Sequence, residues 1–160
     1  MPFTVEDGSI VEGANSLCSL DYANAFHSDR GNTSWTGTDA VKEASLIKAT
    51  DYINQKYSFR GRLVEYDQPL VWPRACIAGV EYDTIPTRVK AAVAELALEA
   101  LTGSLSPSIS PQGQVKSKKV DVIEIEYFAS ASANTKRPAI DGLLRPYLSG
   151  SGINVPVVRV

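Results

Sequence analysis

The longest apolar stretch of the chain runs from Ile85 to Leu105 and predicts the central helix of a core. At 100° per residue Arg88, Glu95, Glu99 and Thr102 share one narrow sector, whereas apolar side chains occupy most of the circumference. Pro86 suits the first helical turn, and Gly103 suits a left-handed position just beyond the helix. Five alanines allow neighbouring helices to approach closely. The stretch therefore predicts a helical bundle with Leu96 as one of its structural anchors.

Helical periodicity also predicts two helices before this stretch. The first spans residues 20–30, with the Ser19 side chain as its N-terminal cap. The second runs from Asp39 to Tyr57 after a capping Thr38, and its apolar residues recur at helical spacing. We expect this amphipathic helix to pack along the central one. A fourth, short helix should begin at Pro138, be disturbed by Pro146 and form a small lid.

Two segments before the central helix lack helical periodicity. Residues 1–16 contain several turn-forming residues and predict an extended arm of the kind that packs on a neighbour. Residues 58–86 form a loop of a length that is usually functional. Trp72 should anchor this loop to the bundle, with an exposed interface anchor as the alternative, and Trp35 should cover the edge of the bundle.

Alternating apolar and polar residues near the C-terminus predict β-structure. The alternation in residues 115–129 indicates a strand, and residues 114–128 together form a lysine-rich hairpin. The sequence after Gly150 predicts an edge strand that can pair with a strand of another subunit. We expect the hairpin and the tail to contact other subunits.

The predicted fold class is mainly α: a small helical bundle with a β-hairpin and extended N- and C-terminal arms. We expect one domain over residues 1–160, with a helical core at about 19–105 and the hairpin and C-terminal arm at about 112–160.

Length, charge and composition limit the range of possible functions. A chain of 160 residues can bury a core without disulfides or metals, and its net charge of −2 gives no overall attraction for nucleic acid. No stretch is apolar enough to span a membrane and no basic-then-apolar N-terminal segment indicates secretion, so we expect the protein to stay in the cytoplasm where it is made. Cys18 and Cys76 should be buried reduced thiols, and the single histidine, His27, has no second ligand or base near it in sequence. We therefore expect no metal, no cofactor and no enzymatic activity.

Two groups of basic residues are candidate binding sites. Arg60, Arg62 and Arg74 form either a local basic patch or surface ion pairs with the carboxylates of the same loop. Lys116, Lys118 and Lys119 stand at the base of the predicted strand. They would meet phosphate in a DNA-bearing channel, or else form a solvated or partner-facing turn.

An ordered set of segments resembles a protein family of tailed-phage virions. The segments are ANSLCSLDYANAFHSDRGNTSW, KEASLIKATDYINQKYSFRGR, PLVWPRA, the alanine-rich helix after IPTRVK, and VKSKKVDVIEIEY. They resemble the head–tail connector, or adaptor, proteins that are often labelled DnaT-like single-stranded DNA-binding proteins. This resemblance implies a head-completion protein in the virion neck that forms a homo-oligomeric ring. It also implies contacts with the portal and with a downstream neck or tail protein, and packaged double-stranded DNA passing through the lumen of the ring.

The DnaT-like label supplies an alternative function from another class. Taken literally, it implies a single-stranded DNA-binding replication accessory, which needs a basic groove with aromatic side chains that stack on bases. The acidic balance of the chain argues against that function. The resemblance brings no catalytic motif to either function, so neither one predicts an active site.

Overall fold

The computed structural model describes residues 2–106, 117–120, 123–126 and 137–150, and this part of the chain is mainly α-helical. Its helices are α1 (Leu20–Asp29), α2 (Asp39–Lys56), α3 (Thr87–Thr102) and α4 (Pro138–Leu144), the last followed by a 3-10 turn (Arg145–Tyr147). Its strands are β1 (Arg62–Leu63), β2 (Arg74–Ala75), β3 (Ser117–Val120) and β4 (Ile123–Glu126). The strands form two separate antiparallel pairs, β1 with β2 and β3 with β4.

Helix α3 is the centre of the bundle, as its apolar pattern predicts. It packs against α1, α2 and α4, and Leu96 is completely buried. The helix is shorter than the apolar stretch: Pro86 is its N-cap residue and Gly103 follows its last turn. Gly103 has a φ of −169°, which is extended backbone, so the predicted left-handed position is wrong. The chain leaves α3 in an extended direction that any residue can adopt, and the glycine is not required there.

The two helices predicted from the periodicity of the N-terminal half are present as α1 and α2. Of the two N-terminal caps predicted for them, only one forms. The Ser19 hydroxyl accepts a hydrogen bond from the backbone N–H of Tyr22 at 3.2 Å. The Thr38 side chain makes no capping hydrogen bond at α2. The backbone carbonyl of Thr38 instead accepts the N–H groups of Val41 and Lys42. The α2 N-terminus therefore lacks the side-chain cap that the sequence predicts.

The N-terminal segment makes contacts within its own subunit, and the packing of this arm on a neighbour stays a prediction. Val5 bridges Ser16, and the Glu6 side chain is buried within the turn between them. A buried carboxylate needs hydrogen-bond donors, and backbone N–H groups supply them here. It accepts the N–H groups of Gly8, Ile10 and Val11 at 2.8–3.0 Å.

Helix α4 belongs to the core, so the predicted lid is also wrong. The helix begins at Pro138, as predicted, and packs against α3. Ile140 and Leu144 are 2% and 0% exposed. The helical core therefore continues beyond residue 105 to include the segment that follows the hairpin. The sequence suggested a lid because this helix is short and disturbed by proline, but its apolar side chains fill a groove beside α3.

The β3–β4 pair is the predicted lysine-rich hairpin. Its register places Lys118 opposite Ile125 and Lys119 opposite Glu124. The hairpin contacts no other helix or strand of the described part of the chain. Lys116 and the predicted C-terminal edge strand at 151–160 lie outside the described residues.

Candidate interface for a nucleic acid or protein partner

Trp72 lies in the interior of the protein. It is 0% exposed, and its ring packs edge-on against Phe59 at 5.5 Å and Tyr147 at 5.6 Å between ring centroids. Its indole N–H has no hydrogen-bond partner among the described residues. In this position the ring joins the long loop to the end of the bundle, and a base from outside cannot stack on it.

Trp35 is likewise held by its own subunit. Its indole N–H donates to the Asn24 side-chain oxygen at 2.8 Å, and its ring lies 4.5 Å from that of His27. The Lys42 ammonium group stands 5.6 Å from the ring centroid, within range of a cation–π interaction. With 8% of its surface exposed, Trp35 has little area available to a nucleobase.

Arg74 uses its guanidinium group to hold the long loop together. The group donates to the backbone carbonyls of Phe59, Arg60, Gly61 and Val71 at 2.8–3.3 Å. Burial lowers the pKa of Arg74. Its charge is therefore directed at main-chain oxygens of the loop, and those oxygens compete with any phosphate for its donors.

Arg60 and Arg62 are exposed at the β1 end of the same loop. The Arg60 Nε atom donates to the Leu148 carbonyl at 2.7 Å, which ties the loop to the segment after α4. Within the described residues no carboxylate of this loop forms an ion pair with either arginine. The pairing considered from the sequence is thus not formed here, and a role for these residues in binding remains a prediction.

The hairpin lysines belong to a separate structural unit from the three arginines. Lys118 and Lys119 are in β3, whereas the arginines surround the β1–β2 pair. Among the described residues, no contact joins the two pairs of strands. The described contacts therefore do not join the basic residues into one groove.

Arg137 ties α2, α3 and the segment after α3 together, and its role is not visible in the sequence. Its guanidinium group donates to the Glu99 carboxylate at 2.6 Å, to the Tyr52 hydroxyl at 2.5 Å and to the Leu105 carbonyl at 3.1 Å. Leu105 and Arg137 flank the segment that carries the hairpin. The side chain thus fastens both ends of that segment to α2 and α3. No local pattern predicts these partners, because they lie 32 to 85 residues away in sequence.

Two exposed tyrosines are a further feature that the sequence reading missed. Tyr66 and Tyr82 are 99% and 61% exposed. Each lies in the same tetrapeptide, Val-Glu-Tyr-Asp, at residues 64–67 and 80–83. The repeated tetrapeptide in a loop was the available signal, because an aromatic residue between two carboxylates is poorly suited to a core.

The described residues contain no group of three side chains that could hold a metal ion, and none of their helices has the length and hydropathy to cross a membrane.

The two cysteines differ in exposure, whereas the sequence predicted that both are buried. Cys18 is buried, and burial raises its pKa to about 12, which suppresses the reactive thiolate. Cys76 is exposed, so the prediction that both thiols are buried is wrong.

Comparison with known proteins identifies the family. A family model described as "Putative DnaT-like ssDNA binding protein" matches residues 1–160. The chain belongs to this family. No curated protein and no solved structure matches it. The match confirms the DnaT-like part of the resemblance and leaves the head–tail connector part without independent support. The family description agrees better with single-stranded DNA binding than with a connector role.

Proposed function

We propose that this protein works by assembly, as a structural subunit of the ring that joins portal and tail in a tailed-phage virion. The observation that carries the proposal is the β3–β4 hairpin, which contacts no other helix or strand of the described chain. A two-stranded hairpin alone is at best marginally stable in water. A neighbouring subunit or the portal would supply the missing cover.

The anchoring of the chain on both sides of the hairpin supports this role. Arg137 contacts Glu99, Tyr52 and Leu105, so the two described residues that flank the hairpin-bearing segment, Leu105 and Arg137, are joined to each other and to the bundle. Joining the two ends of a chain segment limits the conformations that it can adopt, which reduces the conformational entropy that it loses on docking. A bundle that holds both ends of a hairpin-bearing segment is suited to linking identical subunits around a ring.

The proposal is tested by mixing the purified full-length protein with its cognate portal ring. We expect light scattering and electron microscopy to reveal a second ring stacked on the portal. A portal that remains bare at saturating concentrations of the protein would contradict the proposal.

Single-stranded DNA binding is the second candidate, and the family description favours it. Arg60, Arg62 and Tyr66 are the exposed groups in the long loop that could meet a strand. Trp35 and Trp72 are unavailable for stacking because both are buried. This function predicts a mobility shift with single-stranded oligonucleotides that weakens as salt rises.

A matched pair of variants tests that candidate. Arg62→Ala should reduce the affinity for DNA, whereas Arg88→Ala, which removes an exposed arginine outside the loop, should not. The absence of any shift at low salt would eliminate the DNA-binding candidate and would leave the assembly proposal unaffected.

A further inference from the structure

A groove lies between α2 and the residues that follow α3. Lys48, Asp51, Tyr52 and Gln55 of α2 line one wall, and residues 103–106 line the other. The groove has a volume of about 440 Å³, which is within the usual range for a binding pocket. It is called the α2 groove below.

The α2 groove has buried side chains inside and exposed ones at its edge. Tyr52 and Leu105 are both 8% exposed and provide an aromatic ring and an apolar side chain. Lys48 and Gln55 are exposed. An apolar centre inside a polar rim is the arrangement in which large aromatic side chains contribute most to binding between proteins.

The charges of the α2 groove favour a partner with carboxylates and a hydroxyl. Lys48 offers an exposed ammonium group at the rim. Two further cations stand next to Tyr52, because its hydroxyl accepts hydrogen bonds from Arg137 at 2.5 Å and from Lys56 at 2.6 Å. Partial burial raises the pKa of Asp51, so the ionised form of this carboxylate gains from a hydrogen-bond donor.

The turn after β1 carries groups of this kind. Tyr66 is 99% exposed, and its neighbours Glu65 and Asp67 are exposed carboxylates. Exposing a large aromatic ring forgoes the free energy of burying it. These three residues are called the tyrosine tip below. Because Tyr66 lies in solvent, the tip does not occupy the α2 groove of its own subunit.

The tyrosine tip is held in place before any partner binds. The Gln68 side-chain oxygen accepts the backbone N–H groups of Val64 and Glu65 at 2.9 and 3.1 Å. The Gln68 amide nitrogen donates to the carbonyls of Leu70 and Pro73 at 2.7 and 3.0 Å. A turn fixed by four hydrogen bonds loses little entropy when it docks, which favours a binding role.

We infer that the tyrosine tip of one subunit docks in the α2 groove of a neighbouring copy. The Tyr66 ring covers Tyr52 and Leu105. The Tyr66 hydroxyl donates to the Asp51 carboxylate, and the carboxylates of the tip attract Lys48.

This inference rests on the proposed ring, since it names the contact that joins adjacent subunits. The tip and the groove are different surfaces of the same chain, so the contact is heterologous. A heterologous contact propagates from subunit to subunit, as a ring requires.

Charge exchange in the full-length protein tests the contact. Association is measured by analytical ultracentrifugation, and on the portal ring if the free protein is a monomer. Lys48→Glu should weaken association by about tenfold or more, and so should Glu65→Lys with Asp67→Lys. All three substitutions in one chain should restore most of the loss. Arg88→Glu makes the same change in net charge outside the groove and should stay within about threefold of wild type.

Substitutions of the aromatic ring test its separate contribution. Tyr66→Ala should weaken association by about tenfold or more, whereas Tyr66→Phe, which keeps the ring and loses the hydroxyl, should have a smaller effect. Tyr82→Ala removes the tyrosine of the second tetrapeptide and should stay within about threefold of wild type. Thermal melts establish that each variant is folded.

Photo-cross-linking identifies what the tip touches. A benzophenone amino acid replaces Tyr66 in one copy of the chain, which is mixed with an isotope-labelled wild-type copy and irradiated. Mass spectrometry should find the cross-link on the labelled chain, within α2 or residues 103–106. The same replacement at Tyr82 should give no cross-link to these residues.

Several outcomes would overturn this contact while the ring proposal stands. They are unchanged assembly of the Lys48 or tip variants, no recovery when these are combined, and a cross-link from position 66 to any other surface. A wild-type protein that forms no oligomer, alone or on the portal, would overturn both.

Discussion

The Nε atom of Arg137 lies 2.6 Å from the carboxylate of Glu99, in an ion pair that joins the segment after the hairpin to α3. Burial lowers the pKa of Arg137, but the hydrogen bond and the charge of Glu99 outweigh that effect, and the pKa is raised. The guanidinium group also donates hydrogen bonds to the Tyr52 hydroxyl and the Leu105 carbonyl. One side chain therefore joins α2, α3, the end of the segment before the hairpin and the start of α4.

Replacing Arg137 should destabilise the protein more than replacing its ionic partner. Arg137→Met removes one donor each from the Leu105 carbonyl, the Glu99 carboxylate and the Tyr52 hydroxyl, of which the hydroxyl keeps a hydrogen bond from Lys56. We expect a loss of about 2–4 kcal/mol in the free energy of unfolding. Glu99→Gln should cost about 1 kcal/mol or less, because the Glu99 side chain is half exposed. Urea unfolding of both variants measures the difference. Equal losses would contradict the central role assigned to Arg137.

This network also marks the limit of what the sequence predicts. The three longest helices follow from periodicity within a few residues, because a helix places residues three and four apart on one face. The contacts of Arg137 and Glu6 do not follow, because their partners are set by how distant segments meet. The lid assigned to α4 fails for the same reason: whether Leu144 is buried depends on the shape of α3. Among the candidate site residues, a loop anchor at Trp72 was expected from the sequence, whereas the engagement of Arg74 with main-chain carbonyls required the structure.

Protonation of His27 should destabilise the folded protein in mild acid. Its Nε2–H donates to the Ala94 carbonyl at 3.1 Å, which leaves Nδ1 to accept from the Asn32 amide at 3.0 Å. Burial lowers the pKa of His27 below its usual 6.5. The unfolded chain therefore binds more protons, and the contribution of His27 is present above pH 6.5 and lost as the pH falls through the lowered value.

The measurement is the free energy of unfolding of wild type and His27→Gln between about pH 7.5 and pH 5.5, where histidine is the side chain that titrates most. The wild type should lose stability over this interval by more than the variant does. Because the two proteins differ in absolute stability, only the dependence of the free energy of unfolding on pH is compared. Parallel slopes would show that His27 does not carry the acid sensitivity.

A charge at Leu96 should unfold the bundle. Leu96 is completely buried in α3, and Leu96→Asp places a carboxylate among apolar side chains. We expect a loss of several kcal/mol, which is comparable to the whole stability of many domains. Val41→Asp is the matched control, because it adds the same charge at a helix position that is 51% exposed. Thermal melting compares them, and a Leu96→Asp protein that melts like wild type would refute the central position of α3.

Deleting residues 151–160 should separate folding from assembly. The described fold closes before this segment: Leu148 bridges Phe59, and the Ser149 N–H donates to the Ser58 carbonyl at 2.9 Å. Truncation leaves these contacts in place, so the shortened protein should keep its helical circular dichroism and its melting temperature. The valine-rich sequence of the deleted segment is typical of an edge strand that pairs with another chain. We therefore expect association with the portal to be lost. A truncated protein that is unfolded, or one that still forms rings on the portal, would show that the segment does not serve assembly in this way.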